Sequence, residues 1–182
     1  NKKKFIKLFI CGGSQGALSL NKIIVSLFEK IPKNILDKIH VSIQCPENQK
    51  DEIRFCFNKL FKKYELKNFF DNFAEKLFET DVLISRAGAG TINDVIFSQT
   101  PTIFVPFPSS TNNHQFYNAN RLIKERAALL IEQKDLKSNK SLSTIIELIS
   151  NFDQQIRLIK KLQEIEIFDT NELIFKHLNE KI

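Results

Sequence analysis

The chain has 182 residues, a length within the roughly 100–200 that one domain with a full core occupies. Hydrophobic residues at 42% and charged residues at 26% are ordinary for a globular protein and exclude wholesale disorder. No apolar run approaches the ~18 residues that a membrane-spanning helix needs.

Three unevenly spaced cysteines, Cys11, Cys45 and Cys56, form no CxxC and argue against a disulfide framework or a zinc knuckle. They are expected to be small buried side chains in a reducing compartment. The net charge is +6, and the whole excess lies in residues 1–135, which hold 20 Lys/Arg against 14 Asp/Glu. Such a balance suits an anionic ligand or an anionic membrane surface, and also a plain solvated face. No basic run carries the interleaved aromatics that single-stranded nucleic acid prefers, so no nucleic-acid partner is expected.

Taken in chain order, Asn1-Lys2-Lys3-Lys4 before Phe5-Ile6 imitates the start of a signal peptide, but Lys7 breaks the apolar run and Gly12-Gly13 end it. A buried strand over 7–11 is the better reading. The chain has no methionine, not even an initiator, so it is expected to be a processed product or a piece of something longer. Further strands are predicted at 40–45, 68–70, 81–85, 102–106 and 128–132. Segments of helical period fall between them, at 18–30, 48–64, 74–79, 91–98 and 113–126. Three more helices, at 141–151, 153–165 and 170–179, form a tail, with Asp153 and Thr170 at or near their starts as caps. Pro46, Pro101 and Pro106 sit at run edges, where a missing amide does least harm. The alternation implies an α/β fold: an open, Rossmann-like parallel sheet of about six strands with helices on both faces. A single domain over 1–182 is expected, with its core in 1–135 and the helical tail in 136–182.

The glycines are the sharpest signal. Average usage near 7% would give about thirteen, yet the chain has five. They fall in two clusters, Gly12, Gly13 and Gly16, then Gly88 and Gly90, each directly after a predicted strand and before a predicted helix. Either cluster alone reads equally well as a tight strand-to-helix turn. Two together, at the same edge of one sheet, could grip a diphosphate with free amides at two helix N-termini. The first loop is not a Walker loop, since no Gly-Lys-Ser/Thr follows. It fits GxGxxG only if Cys11 replaces the first glycine, and Gln44-Cys45 stand where an acidic residue would hold an adenosine ribose, which disfavours a nicotinamide dehydrogenase.

Cys11-Gly12-Gly13-Ser14-Gln15-Gly16-Ala17 resembles the GGSQGA loop of the MurG family of glycosyltransferases. Ser85-Arg86-Ala87-Gly88-Ala89-Gly90-Thr91 is similar to that family's RSGA-x-T loop. Val105-Pro106-Phe107-Pro108, then Asn112-Asn113-His114-Gln115 and Asn118-Ala119, are similar to its VP…DNHQ…NA segment. The three motifs occur in family order over about residues 6–135. The resemblance implies the carboxyl-terminal half of a GT-B glycosyltransferase, which binds UDP-N-acetylglucosamine. It also implies an absent amino-terminal half carrying the proposed catalytic base and the site for a lipid-linked muramoyl-pentapeptide acceptor. The whole protein would act in the cytoplasm, peripheral on the anionic inner face of a bacterial plasma membrane, without a cofactor or a metal. The last helix would be expected to cross back to the absent half.

Residue by residue, the resemblance places Ser14, Gln15 and Gly16 around the diphosphate or sugar, with Ser14 as a plain helix cap the competing reading. Gly88, Ala89, Gly90 and Thr91 would offer amides and a hydroxyl to the diphosphate, and Thr91 could cap its own helix. Asp94 would accept from both ribose hydroxyls, since a carboxylate presents two acceptors and no donor. The family has glutamate there, one methylene longer, and a capping-box partner of Thr91 is the bland reading. The main chain at Phe70 would read the uracil edge, unless Phe70 is only core. His114 and Gln115 would face the sugar hydroxyls, with His114 a surface or cap residue rather than a base. Arg86 either shapes the second loop or pairs with phosphate, while His40 and His177 are structural. No catalytic residue is expected in this chain. Two rivals keep every motif: a separately encoded donor-binding subunit that needs an acceptor-binding partner, and a generic nucleotide-binding module.

Overall fold

A computed structural model describes residues 5–108, 110 and 113–165, and only the backbone of residues 14–17. Six parallel strands, β1 (Ile6–Cys11), β2 (Ile39–Gln44), β3 (Lys63–Lys67), β4 (Val82–Ser85), β5 (Thr102–Phe104) and β6 (Leu129–Leu130), form one sheet in the order β3-β2-β1-β4-β5-β6. Its strand order reverses between β1 and β4, and in open α/β sheets ligands bind beyond the carboxyl ends of the strands at such a point. The helices are α1 (Gly13–Phe28), α2 (Lys33–Leu36), α3 (Lys50–Leu60), α4 (Phe73–Phe78), α5 (Ala89–Ser98), α6 (His114–Lys124), α7 (Asn139–Ser150) and α8 (Phe152–Gln163).

The central strands are apolar on both faces because helices cover both. Leu8 and Ile10 of β1 point into one core with Leu20, Ile24 and Phe28 of α1, Ile53 and Phe57 of α3, and Ile145 and Leu148 of α7. Phe9 and Cys11, offset by one residue, point into the other with Leu77 of α4, Val95 of α5 and Leu122 of α6. Helix α8 sends Leu158 into the first core and Leu162 into the second. The tail as far as Ile165 is thus part of the same packed unit rather than an appendage. The helix expected at 170–179, and Thr170 as its cap, lie outside the described residues.

The third strand departs from expectation. It spans Lys63–Lys67, not 68–70, and the helix predicted over 48–64 stops at Leu60. Lys63-Tyr64-Glu65-Leu66-Lys67 is an edge strand, and Tyr64, seven residues after Phe57, also continues the helix period when read as sequence. Lysines on an edge blunt unwanted pairing. Phe61, with φ −118 and ψ 142, turns the chain from helix to strand. Glu65 at its centre accepts from Ser42 Oγ at 3.1 Å and pairs with Lys67 and Lys76 at 2.9 Å. Burial pushes its carboxyl up, but the two lysines and Ser42 outweigh that and hold it at about 2.

Helix starts also differ. α1 begins at Gly13 rather than at residue 18, so Ser14 lies inside the helix and Gly12 is the N-cap. α5 begins at Ala89 with Gly88 as N-cap, which makes Thr91 its third residue and removes both the Thr91 cap and the capping-box reading of Asp94. α8 is capped by Asn151, whose Oδ1 accepts from the Gln154 amide at 3.2 Å, and not by Asp153.

An aromatic cluster packs the far side of the first core. Phe57 is fully buried, with ring centroids 4.9 Å from Phe61, 5.7 Å from Tyr64 and 6.4 Å from Phe28. Phe57→Ala is expected to lower unfolding stability by about 3–5 kcal/mol in urea titration. Phe55→Ala, two residues earlier and exposed, should stay within about 0.5 kcal/mol of the parent. Equal losses at the two positions would contradict this packing.

Candidate functional site

Cys11 and Ser85 are register partners at the ends of β1 and β4, so the two glycine clusters leave the sheet side by side. The Arg86 amide donates to the Cys11 carbonyl at 3.1 Å, which ties the two loops together at their bases. Each loop then opens a helix whose N-cap is a glycine, Gly12 for α1 and Gly88 for α5. A glycine has no side chain to satisfy the first free amides of a helix.

The helices of this molecule differ in how those amides are treated. α3 has Asp51 and Glu52 in its first turn, α7 is capped by Ser138 and α8 by Asn151. The first turns of α1, α5 and α6 carry no acidic residue. Those three all follow strands of the switch-point side, β1, β4 and β5. Their positive dipole ends therefore converge on one edge with no internal counter-charge among the described residues, an arrangement suited to an anion.

The glycines themselves sort into two kinds. Gly13 has φ +66, a conformation that favours glycine whatever surrounds it. Gly90 has no such backbone demand, and a Cβ built on it meets nothing within 4 Å. Folding gives no reason for glycine there, at a helical position where it costs about 1 kcal/mol relative to alanine. Ala89 and Gly90 are exposed, Gly88 and Thr91 half-buried.

Arg86 is 3% exposed and holds the edge in shape. Its Nη1 donates to the carbonyls of Val105 and Pro106 at 3.1 and 3.2 Å, and Nη2 to Ser19 Oγ at 2.8 Å and Gln133 Oε1 at 2.5 Å. Burial pulls its guanidinium down to about 10, so it stays charged near neutrality. Of the two roles open to it in sequence, these contacts fit the shaping of the loop. Ser19 and Gln133, which complete this network, carry no signal in the sequence that would have singled them out.

Of the other residues singled out in the sequence, Asp94 lies half-buried on the second turn of α5, and burial raises its carboxyl above the ordinary value. His114 is the exposed first residue of α6, after Asn113, the N-cap, at φ 57. Gln115 Oε1 accepts from the amides of Ala87 at 3.3 Å and Phe107 at 2.9 Å. The Phe70 ring is core: it packs edge-on against Phe9 at 4.8 Å, with Lys67 and Lys76 over it at 5.4 and 5.3 Å. Only the Phe70 main chain, just beyond β3, is left to meet a ligand. The backbone of Ser14, Gln15 and Gly16 forms the first turn of α1, and their side chains are outside the description.

Cys11 and Cys45 are buried as expected, while Cys56 is half-buried. Cys11 Sγ donates to Gln44 Oε1 at 2.8 Å, and burial pushes the thiols of Cys11 and Cys45 up to about 11, which leaves neither a nucleophile. Among the described residues there is no cluster with the makings of a metal site, and no helix long and apolar enough to cross a membrane. What remains at this edge is an array of backbone amides backed by a buried cation, fit to bind a phosphorylated ligand.

This chain is similar to known proteins in the same region. The chain is 39% identical over 155 residues to the UDP-N-acetylglucosamine–N-acetylmuramyl-(pentapeptide) pyrophosphoryl-undecaprenol N-acetylglucosamine transferase of Rickettsia bellii, a match covering 83% of this chain and 43% of that protein. It is 40% identical over 152 residues to the enzyme of the same name from Rickettsia akari, covering 81% and 39%. It spans less than half the length of these curated relatives. The crystal structure of MurG from Acinetobacter baumannii shares the fold, with a TM-score of 0.80 at 23% identity over 98% of this chain and 53% of that one. The profile of the glycosyltransferase family 28 C-terminal domain matches residues 7–171, from β1 to beyond α8. The chain belongs to that family.

Proposed function

We propose that residues 1–182 are the donor-binding half of a transferase that moves N-acetylglucosamine from UDP onto a lipid-linked muramoyl-pentapeptide. The observation that carries this is the pair of glycine-capped helix starts on neighbouring strands β1 and β4, in a chain 39–40% identical to transferases named for that reaction. In this reading the diphosphate lies between the first turns of α1 and α5. Ser14, Gln15 and Gly16 line one side, and Gly88, Ala89, Gly90 and Thr91 the other. Backbone amides are good partners for a diphosphate because they carry no competing charge and need no reordering on binding.

Asp94 takes the ribose. Its carboxyl is shifted up because burial penalises its charge, and two ribose hydroxyls donating to it would offset that penalty. The uracil edge meets the main chain at Phe70. His114 and the Nε2 of Gln115 face the sugar, since the Oε1 of Gln115 is already engaged by two amides. The leaving group is UDP, and amides around its phosphates stabilise the charge that grows as the glycosidic bond breaks. The acceptor hydroxyl is activated by a base outside this chain, so residues 1–182 alone bind donor and transfer nothing. The whole protein works at the cytoplasmic face of a membrane, where a lipid-linked acceptor resides.

The direct test is the thermal shift of residues 1–182 with UDP-N-acetylglucosamine, UDP-glucose, UDP, ADP and NAD at equal concentration. A ligand at 100 times its Kd stabilises by about 2.7 kcal/mol, well within reach of a melting curve. Uridine ligands should shift the melt, the N-acetylated sugar most. Equal shifts for all five, or a shift with NAD alone, would overturn the donor reading in favour of a generic nucleotide module.

Gly90→Ala separates folding from function. The free chain should gain about 0.5–1 kcal/mol, as an alanine does in a helix. Affinity for UDP should fall about tenfold or more, roughly 1.4 kcal/mol, because a methyl then stands where the phosphate meets the backbone. Undiminished UDP affinity in titration calorimetry would mean that no ligand approaches Gly90.

A further inference from the structure

The loop between β4 and α5 contains one residue, Ala87, whose backbone N–H and C=O are bonded by neither the sheet ladder nor the helix. Ala87 is fully buried, and its N–H and C=O both need partners. Both partners come from α6. Gln115 Oε1 accepts from the Ala87 amide at 3.3 Å, and Asn118 Nδ2 donates to the Ala87 carbonyl at 3.1 Å. Three residues apart on one helix, Gln115 and Asn118 face the same way, so a single face of α6 holds the two ends of one residue. The same Gln115 oxygen accepts from the Phe107 amide at 2.9 Å and thereby joins the loop after β5 to the loop after β4.

We infer that Asn118, together with the Oε1 of Gln115, is a positioning residue: the pair locks the two peptides flanking Ala87 inward so that the amides that follow, from Gly88 to Thr91, are turned outward to the ligand. The geometry argues for this division of labour. A loop amide used by the protein is unavailable to a ligand, and a loop amide available to a ligand must be held in place by its neighbours. Gly88 and Gly90 give this segment backbone freedom, and no side chain of theirs anchors it. The anchor is therefore the preceding peptide, and α6 supplies it. Arg86 fixes the residue before through Val105 and Pro106, but it leaves the Ala87 peptide itself to α6.

This inference rests on the donor-binding reading above, and it adds to that reading a role for Asn118. It also separates two uses of α6. A residue that reads the sugar affects the sugar nucleotide only, whereas one that aims the phosphate loop affects UDP and the sugar nucleotide alike.

The experiment titrates residues 1–182 and Asn118→Ala with UDP and with UDP-N-acetylglucosamine by calorimetry. Amide hydrogen exchange is followed in the ligand-free parent, in Asn118→Ala and in Gln115→Met. Asn118→Ala is expected to weaken both ligands by the same factor, about tenfold, the scale of one buried hydrogen bond. The Ala87 amide should exchange faster in both variants, and the Phe107 amide faster in Gln115→Met. Loss confined to the sugar nucleotide, or unaltered affinity for both ligands, overturns the inference. So does unaltered exchange at Ala87 in a folded variant, whatever the affinities show. If the parent binds neither uridine ligand, the donor reading fails, and the exchange data still decide whether α6 holds the Ala87 peptide.

Discussion

The constraint on which the rest of this molecule depends is that the helices at the switch point, α1 and α5, start on glycines whose missing side chains cap none of their first amides. A protein ordinarily satisfies the first turn of a helix with a side chain, and this one does so with Ser138 at α7 and Asn151 at α8. At α1 and α5 it places glycine instead, in a chain that has only five glycines in all. The parallel sheet explains why those two helices are neighbours. Chain order puts β1 and β4 far apart, and only the reversal of strand order at the sheet centre brings their loops together.

Uncapped amides are useful only if the loops that carry them are rigid. The rigidity comes from beneath and from the side. A buried arginine gathers the ends of β4 and β5, α1 and the turn after β6 around one cation. Leaving such a charge without its hydrogen bonds would cost several kcal/mol, so the edge is strongly committed to one arrangement. From the side, α6 grips the Ala87 peptide. The polar groups at this edge thus fall into those that hold the loops and those the loops present. The relatives named for transfer of N-acetylglucosamine match this region, and the activity we propose needs no more of this half than a firm hold on the donor.

Much of this was legible in the sequence because it is written in backbone chemistry. Strands buried on both faces read as apolar runs, and glycine clusters mark loops whatever the tertiary context. The edge strand β3 was not legible: Lys63 to Lys67 offers only Tyr64 and Leu66 as an apolar face, too short to mark a strand, and its pairing with β2 decides its form. The sequence places the starts of α1 and α5 too late, because glycine beside a small residue looks like loop while the backbone is already helical. Arg86 could not be assigned from sequence, since two of its partners are carbonyls of Val105 and Pro106, which any residue would supply, and the other two, Ser19 and Gln133, are distant in the chain. The sequence motif points Gln115 at a ligand alone, whereas its acceptor faces two loop amides. Asn118 stood in a motif with no role attached, and only the fold shows which peptide it meets.

The central claim, that both glycine loops bind one diphosphate together, can be tested by labelling glycine alone with nitrogen-15. The chain then gives five backbone amide signals, all from the two loops. Titrated with UDP, signals from both clusters are predicted to move along curves with one common Kd. Movement of one cluster alone, or of the two with different Kd values, would contradict a shared site.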